Sequence, residues 1–488
     1  MSSSPLDLDH DTMRRLGRRV ADVVAEHLAT LREQPVRAAA PRGETRGRIG
    51  GPPPERGTDF ETLLARLRAD VFPLHAREPH PGFMGFVPGC PTFPGVLGDW
   101  LATGHNFFAG VWTVAAGPNE VEMTVLDWMR GWLGMPAGAG GILTSGGSAA
   151  TLTAIVAARH AAIHAAPREI GRLALYTSEQ AHSSVERAAW IAGVPREQVA
   201  AIPTDDDYCL RVDALAEAVW RDREAGLIPF AVVATAGTTN TGAVDPLGEV
   251  ADLCEREGLW MHVDAAYAGF AALTGRGRAA LAGIERAHSI TLDPHKWLFV
   301  PFECGCLLAR DPRALGAAYR VTPEYLRDVE RAPEDQEVNF ADYGGQLTRY
   351  ARALKVWLAV SYFGTDAIAA EIERGIARAE LAERLVRAEP ALEVLSPARL
   401  AVLCFRARGW GQEGAELDAL NERINARVNA TGRFLISSTR LRGAFSMRIC
   451  PLGFRTTDDD IRAVVAAVLR AAGEEQEQEQ KLTTDEHG

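Results

Sequence analysis

At 488 residues and 47% hydrophobic content, the chain is long enough to bury a large core and to divide into more than one domain. Its formal charge of -12 excludes a surface built for nucleic acid or anionic lipid, since both demand clustered lysine and arginine. Seven cysteines without CxxC spacing argue against a disulfide framework and for a reducing cytoplasm, and no stretch has the length of a membrane span or the layout of a leader peptide.

In chain order, Leu16, Val20, Val23, Val24 and Leu28 recur at helical spacing within a helix expected from about Leu6 to Leu31. A link rich in Pro, Gly and Arg follows from Pro35 to Gly57, so residues 1–79 read as a helical arm and linker whose apolar stripe needs another surface, such as a partner subunit. From 80 to 375 short β-rich runs alternate with helical stretches: Leu173 to Tyr176, Val199 to Ile202, Phe230 to Thr235, Trp260 to Val263, Ile290 to Leu292 and Cys306 to Ala309. That alternation predicts an α/β domain with a mainly parallel sheet and ligands at the carboxyl ends of its strands. Residues 376–472 read as a smaller α+β domain, with strands at Leu392 to Leu395, Leu400 to Phe405, Phe434 to Ser437 and Phe445 to Ile449 and helices over 415–429 and 457–472. The remainder, 473–488, carries six acids and one lysine and reads as a disordered tail.

Lysine occurs only at 296, 355 and 481, so amine-based covalent chemistry must choose among three positions. Lys481 lies in the acidic tail, and Lys355 sits in an amphipathic run where a snorkelling or ion-paired lysine is ordinary. Lys296 ends SITLDPHKW, directly after an apolar strand, where burial depresses an ammonium toward the reactive neutral amine. Its bland alternative is an ion pair with Asp293. In LWMHVDAAYAG a strand ends on Asp264: alone a turn residue, but opposite a pyridine nitrogen a carboxylate that keeps it protonated, with Ala266 small enough to admit a flat ring. GILTSGGSAATL, residues 141–152, has the shape of a phosphate cup at a helix start, or of a simple turn. Thr238 and Thr239 in TAGTTNTG offer hydroxyls, and His182 in SEQAHSSVERAAW offers an imidazole able to stack on a ring. Cys304 and Cys306 alternate in an apolar run, as in a buried strand rather than a metal site.

These motifs together resemble the group II pyridoxal 5'-phosphate (PLP) decarboxylases of fold type I. The pattern around the lysine is carried by Ser289, Ile290, Lys296, Trp297, Leu298, Phe302, Cys304 and Arg310. HVDAAYAG, QAHSSVERA and HPGF at 80–83 are similar to the aromatic branch, and the resemblance runs from about residue 10 to 472. It implies an α/β large domain with a mainly parallel seven-stranded sheet, a small C-terminal α+β domain, a helical N-terminal arm and a homodimer with shared active sites. It also implies Lys296 as the lysine that carries PLP as an imine, Asp264 as the partner of the ring nitrogen and His182 as the stacking residue. Gly147, Ser148, Asp293 and His295 fall on the phosphate side, Thr239 and Ala266 beside the cofactor, and Phe83, Phe86, Gly89 and Phe108 in the substrate pocket. Tyr325, in TPEYL, matches a mobile-loop tyrosine that protonates the carbanion, where aldehyde-forming members resemble this sequence but carry Phe.

Two positions depart from the family. Asp293 replaces the usual Asn before Pro-His-Lys, and a carboxylate repels phosphate unless turned away; Gly146 stands where a serine is common. The expected reaction is decarboxylation of an amino acid to an amine. An aromatic substrate is favoured because Glu78 to Met129 has no lysine or arginine but many aromatics, including Phe93, Trp100, Phe107 and Trp112. Aldehyde synthesis, and decarboxylation of an acidic amino acid, are the alternatives.

Overall fold

The computed structural model describes residue 4, residues 6–321 and residues 337–485. Apolar and β-branched runs form the central sheet, buried on both faces except at the half-exposed edge strand Val199–Ile202, the pattern of strands covered by helices. The strands are β1 Gly140–Thr144, β2 Leu173–Ser178, β3 Val199–Ile202, β4 Ile228–Thr235, β5 Trp260–Asp264, β6 Ser289–Leu292 and β7 Gly305–Ala309. Across the sheet the order is β1-β7-β6-β5-β4-β2-β3. Neighbours among β2 to β6 pair in parallel, whereas β7 is antiparallel to both β1 and β6. The carboxyl ends of β1, β2, β4, β5 and β6 therefore lie along one edge, beside the start of β7. One rung of that edge reads Thr235, Asp264, Thr291 across β4, β5 and β6.

The helix Gly147–Ile163 covers the sheet through Ala150, Thr151, Ala154 and Ile155, and Thr151 Oγ1 lies 3.3 Å from Thr291 Oγ1. A buried ion pair secures β1: Arg349 Nη2 donates to Glu122 Oε1 at 2.6 Å and to the Leu143 carbonyl at 2.8 Å, while Glu122 Oε1 accepts the Leu143 N–H.

The helix Ala353–Ala388, bent where Gly364 takes φ 75°, leads from this unit to the next, so the boundary expected at 375 falls inside a helix. Beyond it β8 Leu392–Arg399, β9 Val402–Ala407, β10 Ser437–Leu441 and β11 Ala444–Ile449 make an antiparallel sheet in the order β10-β11-β9-β8. Its apolar face, with Leu403, Phe405 and Met447, packs with Leu420, Ile424 and Val464 from the helices Gly414–Ala430 and Asp458–Asp485.

Two expectations are corrected here. Phe434 to Ile436 is no part of β10; these buried residues pair with the segment at 82–84, where Leu435 N–H donates to the Gly82 carbonyl and Met84 N–H to the Leu435 carbonyl, both at 2.9 Å. The stretch after 473 is helical through Asp485, because Glu475 is buried against the guanidinium groups of Arg423 and Arg427 and is thus a packed residue of an otherwise polar run.

The N-terminal helix His10–Ala29 begins on Asp9, whose carboxylate accepts the Thr12 N–H at 2.8 Å. None of its residues is fully buried: Leu16, Val23, Val24 and Leu28 are half-buried and Val20 is exposed, so its apolar stripe is only partly covered in the single chain. The following link contains a short helix, Arg42–Ile49. Among the described residues no helix is long and apolar enough to cross a membrane.

Candidate active site

Strand ends and the glycine turn converge on a cleft of about 580 Å³ lined by Ser145 to Ala149, His182, Thr235, Thr239, Asp264, Ala266, Asp293, His295 and Lys296. All nine residues expected to bind the cofactor line it.

No side chain caps the start of the Gly147–Ile163 helix, so its first N–H groups are left for an anion. A Cβ built at Gly147 would come 3.1 Å from Ala266 Cβ, which explains why glycine stands at this close approach. On the opposite wall Gly237 turns the chain after β4 with φ +91°, and a Cβ there would meet Ala268 at 2.6 Å. Thr238 is fully buried and bonded to Thr241 Oγ1 at 2.8 Å, so it shapes this turn while Thr239 faces the cleft.

Asp264 ends β5 as a buried carboxyl whose Oδ1 accepts the Ala266 N–H at 3.1 Å. Burial pushes its pKa up; the neighbouring Lys296 ammonium, the Ala266 N–H and His182 pull it down. Lys296 follows β6 in the short helix Pro294–Trp297, with Nζ 2.8 Å from Asp293 Oδ2. Thus the ion pair with Asp293, weighed as the alternative, forms at the same lysine that faces Asp264. His295 Nδ1 donates to the Cys304 carbonyl at 2.6 Å, and burial holds its pKa down. His182 Nδ1 receives the Ser184 N–H at 3.2 Å and lies 2.8 Å from Ser184 Oγ, which leaves the proton of the neutral ring on Nε2.

Buried Lys355 pairs with Asp99 at 2.9 Å and donates to the carbonyls of Pro301, Phe302 and Glu303. This holds the segment whose Phe302 ring packs 4.8 Å from His295. Cys304 and Cys306 are buried at the start of β7.

Of the four residues expected in the substrate pocket, Phe86 lines the cleft. Phe83 does not: the pairing of residues 82–84 with Leu435 draws its ring into a core with Val36 and Leu435. Gly89 sits behind Phe302, where a Cβ would meet that ring at 2.5 Å, and Phe108 packs beside Gly110; neither lines the cleft in the single chain. Tyr325 lies outside the described residues.

Sequence reasoning missed Arg448 of β11. Its Nη1 donates to the Phe86 carbonyl at 2.5 Å and its Nε to the Asn240 carbonyl at 3.2 Å, while Nη2 is buried with no partner. It lines the cleft with Ser437 and Ser438 of β10. A lone arginine in the apolar run AFSMRI was the available signal.

The residues present fit PLP: an uncapped helix start for its phosphate, a lysine for its aldehyde, a buried carboxyl for its ring nitrogen and a spare guanidinium nitrogen for a substrate anion.

The pyridoxal-dependent decarboxylase conserved domain matches residues 51–408. An aromatic-L-amino-acid decarboxylase of Bacillus atrophaeus is 38% identical over 97% of this chain and 98% of its own length. A phenylacetaldehyde synthase of Arabidopsis thaliana is 31% identical over 93% and 94%. The solved structure of Catharanthus roseus tryptophan decarboxylase in complex with L-tryptophan superposes with a TM-score of 0.91 at 28% identity, covering 97% of this chain and 100% of that one. As the residues around Lys296 implied, the chain belongs to the pyridoxal-dependent decarboxylase family and is a carboxy-lyase that uses PLP.

Proposed function

We propose that this chain decarboxylates an aromatic L-amino acid to the corresponding amine and CO2, and that it does so as a homodimer. The observation that carries the substrate assignment is the use of cations in the cleft. Lys296 is committed to the cofactor, and the unpartnered Nη2 of Arg448 suits the substrate's carboxylate. Among the described lining residues no further lysine or arginine remains for an acidic side chain, whereas Phe86 and Val87 offer apolar surface. The likeness to aromatic amino acid decarboxylases supports the same choice.

When bound, PLP supplies an electron sink for the pair of electrons left as CO2 departs. Asp264 would face the ring nitrogen as a buried carboxylate and so favour its protonated form. Arg448 orients the carboxylate that leaves. His182 is exposed at the cleft, where its flat ring can cover the cofactor. Tyr325 delivers a proton to the carbon that loses CO2.

The homodimer reading is supported by the apolar stripe of the His10–Ala29 helix, which the single chain covers only in part. A panel of the twenty amino acids with purified protein and PLP tests the function, measuring CO2, amine, aldehyde and peroxide. Release of CO2 chiefly from glutamate or aspartate rejects the aromatic assignment, and aldehyde with peroxide as main products favours the synthase chemistry named for the Arabidopsis relative. Light scattering at assay concentration tests the dimer: full activity in a monomer rejects it.

A further inference from the structure

Asp293 is 4% exposed at the end of the cleft where the Gly147–Ile163 helix begins. It stands at the step from β6 into the helix Pro294–Trp297, where its side chain makes no capping hydrogen bond and the backbone on both sides fixes its position. Its Oδ2 lies 2.8 Å from Lys296 Nζ and 3.6 Å from His295 Nε2, and its Oδ1 is buried with no hydrogen-bond partner. Both oxygens face the first residue of the helix: a Cβ built at Gly147 would come 3.1 Å from Oδ2 and 3.4 Å from Oδ1. That helix start, 17 residues long and uncapped, is where free N–H groups and the positive end of the helix dipole would receive a phosphate. Lys296 is the cation at hand, and Asp264 on β5 also draws on it; burial pushes the pKa of His295 down, against the pull of Asp293.

We propose that Asp293 is a built-in anion that holds the phosphate seat and competes with the cofactor's phosphate, so that this chain admits PLP only by turning the carboxylate away from Gly147. An Asn at this position would offer the same shape without the charge. The carboxylate therefore trades affinity for exclusion: free inorganic phosphate, which lacks an aldehyde to engage Lys296, is repelled from the cradle, whereas PLP offsets the repulsion through its covalent link to the lysine. The inference concerns the cofactor and does not depend on the substrate assigned above, so a failed amino-acid panel leaves it standing.

The test uses cofactor-free full-length protein, wild type and Asp293→Asn. PLP and pyridoxal, which has no phosphate, are titrated separately by equilibrium dialysis, and inorganic phosphate is titrated as a competitor of PLP. In Asp293→Asn, affinity for PLP and for inorganic phosphate should rise about tenfold or more, while affinity for pyridoxal stays within about twofold. An equal shift for pyridoxal and PLP would show that Asp293 acts only through Lys296 and overturns the proposal. Unchanged or weaker binding of PLP and phosphate also overturns it. Asp293→Ser, with its fold checked by circular dichroism, must move in the same direction.

Discussion

Lys296 is the strongest of the neighbours that draw the Asp264 carboxyl down against the upward push of burial. The two residues stand at the ends of adjacent parallel strands, so a change at Lys296 bears directly on the Asp264 carboxyl. Asp264→Asn keeps a carbonyl to accept the Ala266 N–H and should leave the fold intact. Decarboxylation should fall about a hundredfold or more, because an amide cannot hold a proton on the ring nitrogen. Steady-state rates with a thermal unfolding control check this; activity within a few-fold of wild type removes Asp264 from the role.

Lys296→Ala should abolish turnover and leave no adduct on the chain after borohydride reduction, although PLP can still occupy the cradle. Mass spectrometry of the reduced protein reads the result directly. A trapped lysyl adduct in this variant would move the attachment point to Lys355 or Lys481.

Arg448→Lys keeps a positive charge but loses the fork that grips the Phe86 and Asn240 carbonyls while leaving Nη2 free. We expect kcat/KM for the amino acid to drop by about a hundredfold. Inhibition by the product amine, which has no carboxylate, should change by less than about threefold. Equal losses for substrate and amine would make Arg448 a scaffold residue.

Tyr325→Phe should still consume the amino acid but divert product from amine toward aldehyde and peroxide, since the carbanion then lacks its proton donor. Product analysis under air, with peroxide quantified, decides; an unchanged amine yield assigns the proton to another group.

Asp245 accepts the N–H groups of Thr235 and Leu210 at 2.7 and 2.8 Å and thereby fixes the strand end in register with Asp264. Burial pushes its pKa from 3.8 to about 6 in spite of those bonds. The folded value lies above the unfolded one, so the folded protein holds this proton more tightly. The stabilisation is complete below the unfolded value and is lost as pH rises through about 6, a swing of about 3 kcal/mol. Urea unfolding across that range should show wild type losing stability relative to Asp245→Asn; a constant difference between the two refutes this.

The central sheet was legible because six of its strands are short, largely apolar runs set between helical stretches, and the cofactor residues because they follow such runs. The lysine scarcity that singled out Lys296 is a property of the sequence itself. Contacts between distant segments were not legible. Phe434 to Ile436 reads as a strand on its own, yet its partner is the chain at 82–84, and the same pairing removes Phe83 from the cleft. Arg448 reaches the site only because β11 lies beside β10 and delivers its side chain to Phe86, some 360 positions earlier. Glu475 illustrates the opposite error: its acidic surroundings look solvated, but two arginines on the Gly414–Ala430 helix bury it.

The place of β7 between β1 and β6 makes it the link between the two halves of the cofactor seat. Among the described strands β1 pairs with β7 alone, so the strand hydrogen bonds that tie the glycine turn after β1 to the sheet run through residues 305–309. Lys296 precedes that strand in the chain. The lysine and the phosphate cradle thus flank one strand, and a change that loosens β7 would disturb both halves of the cofactor seat at once.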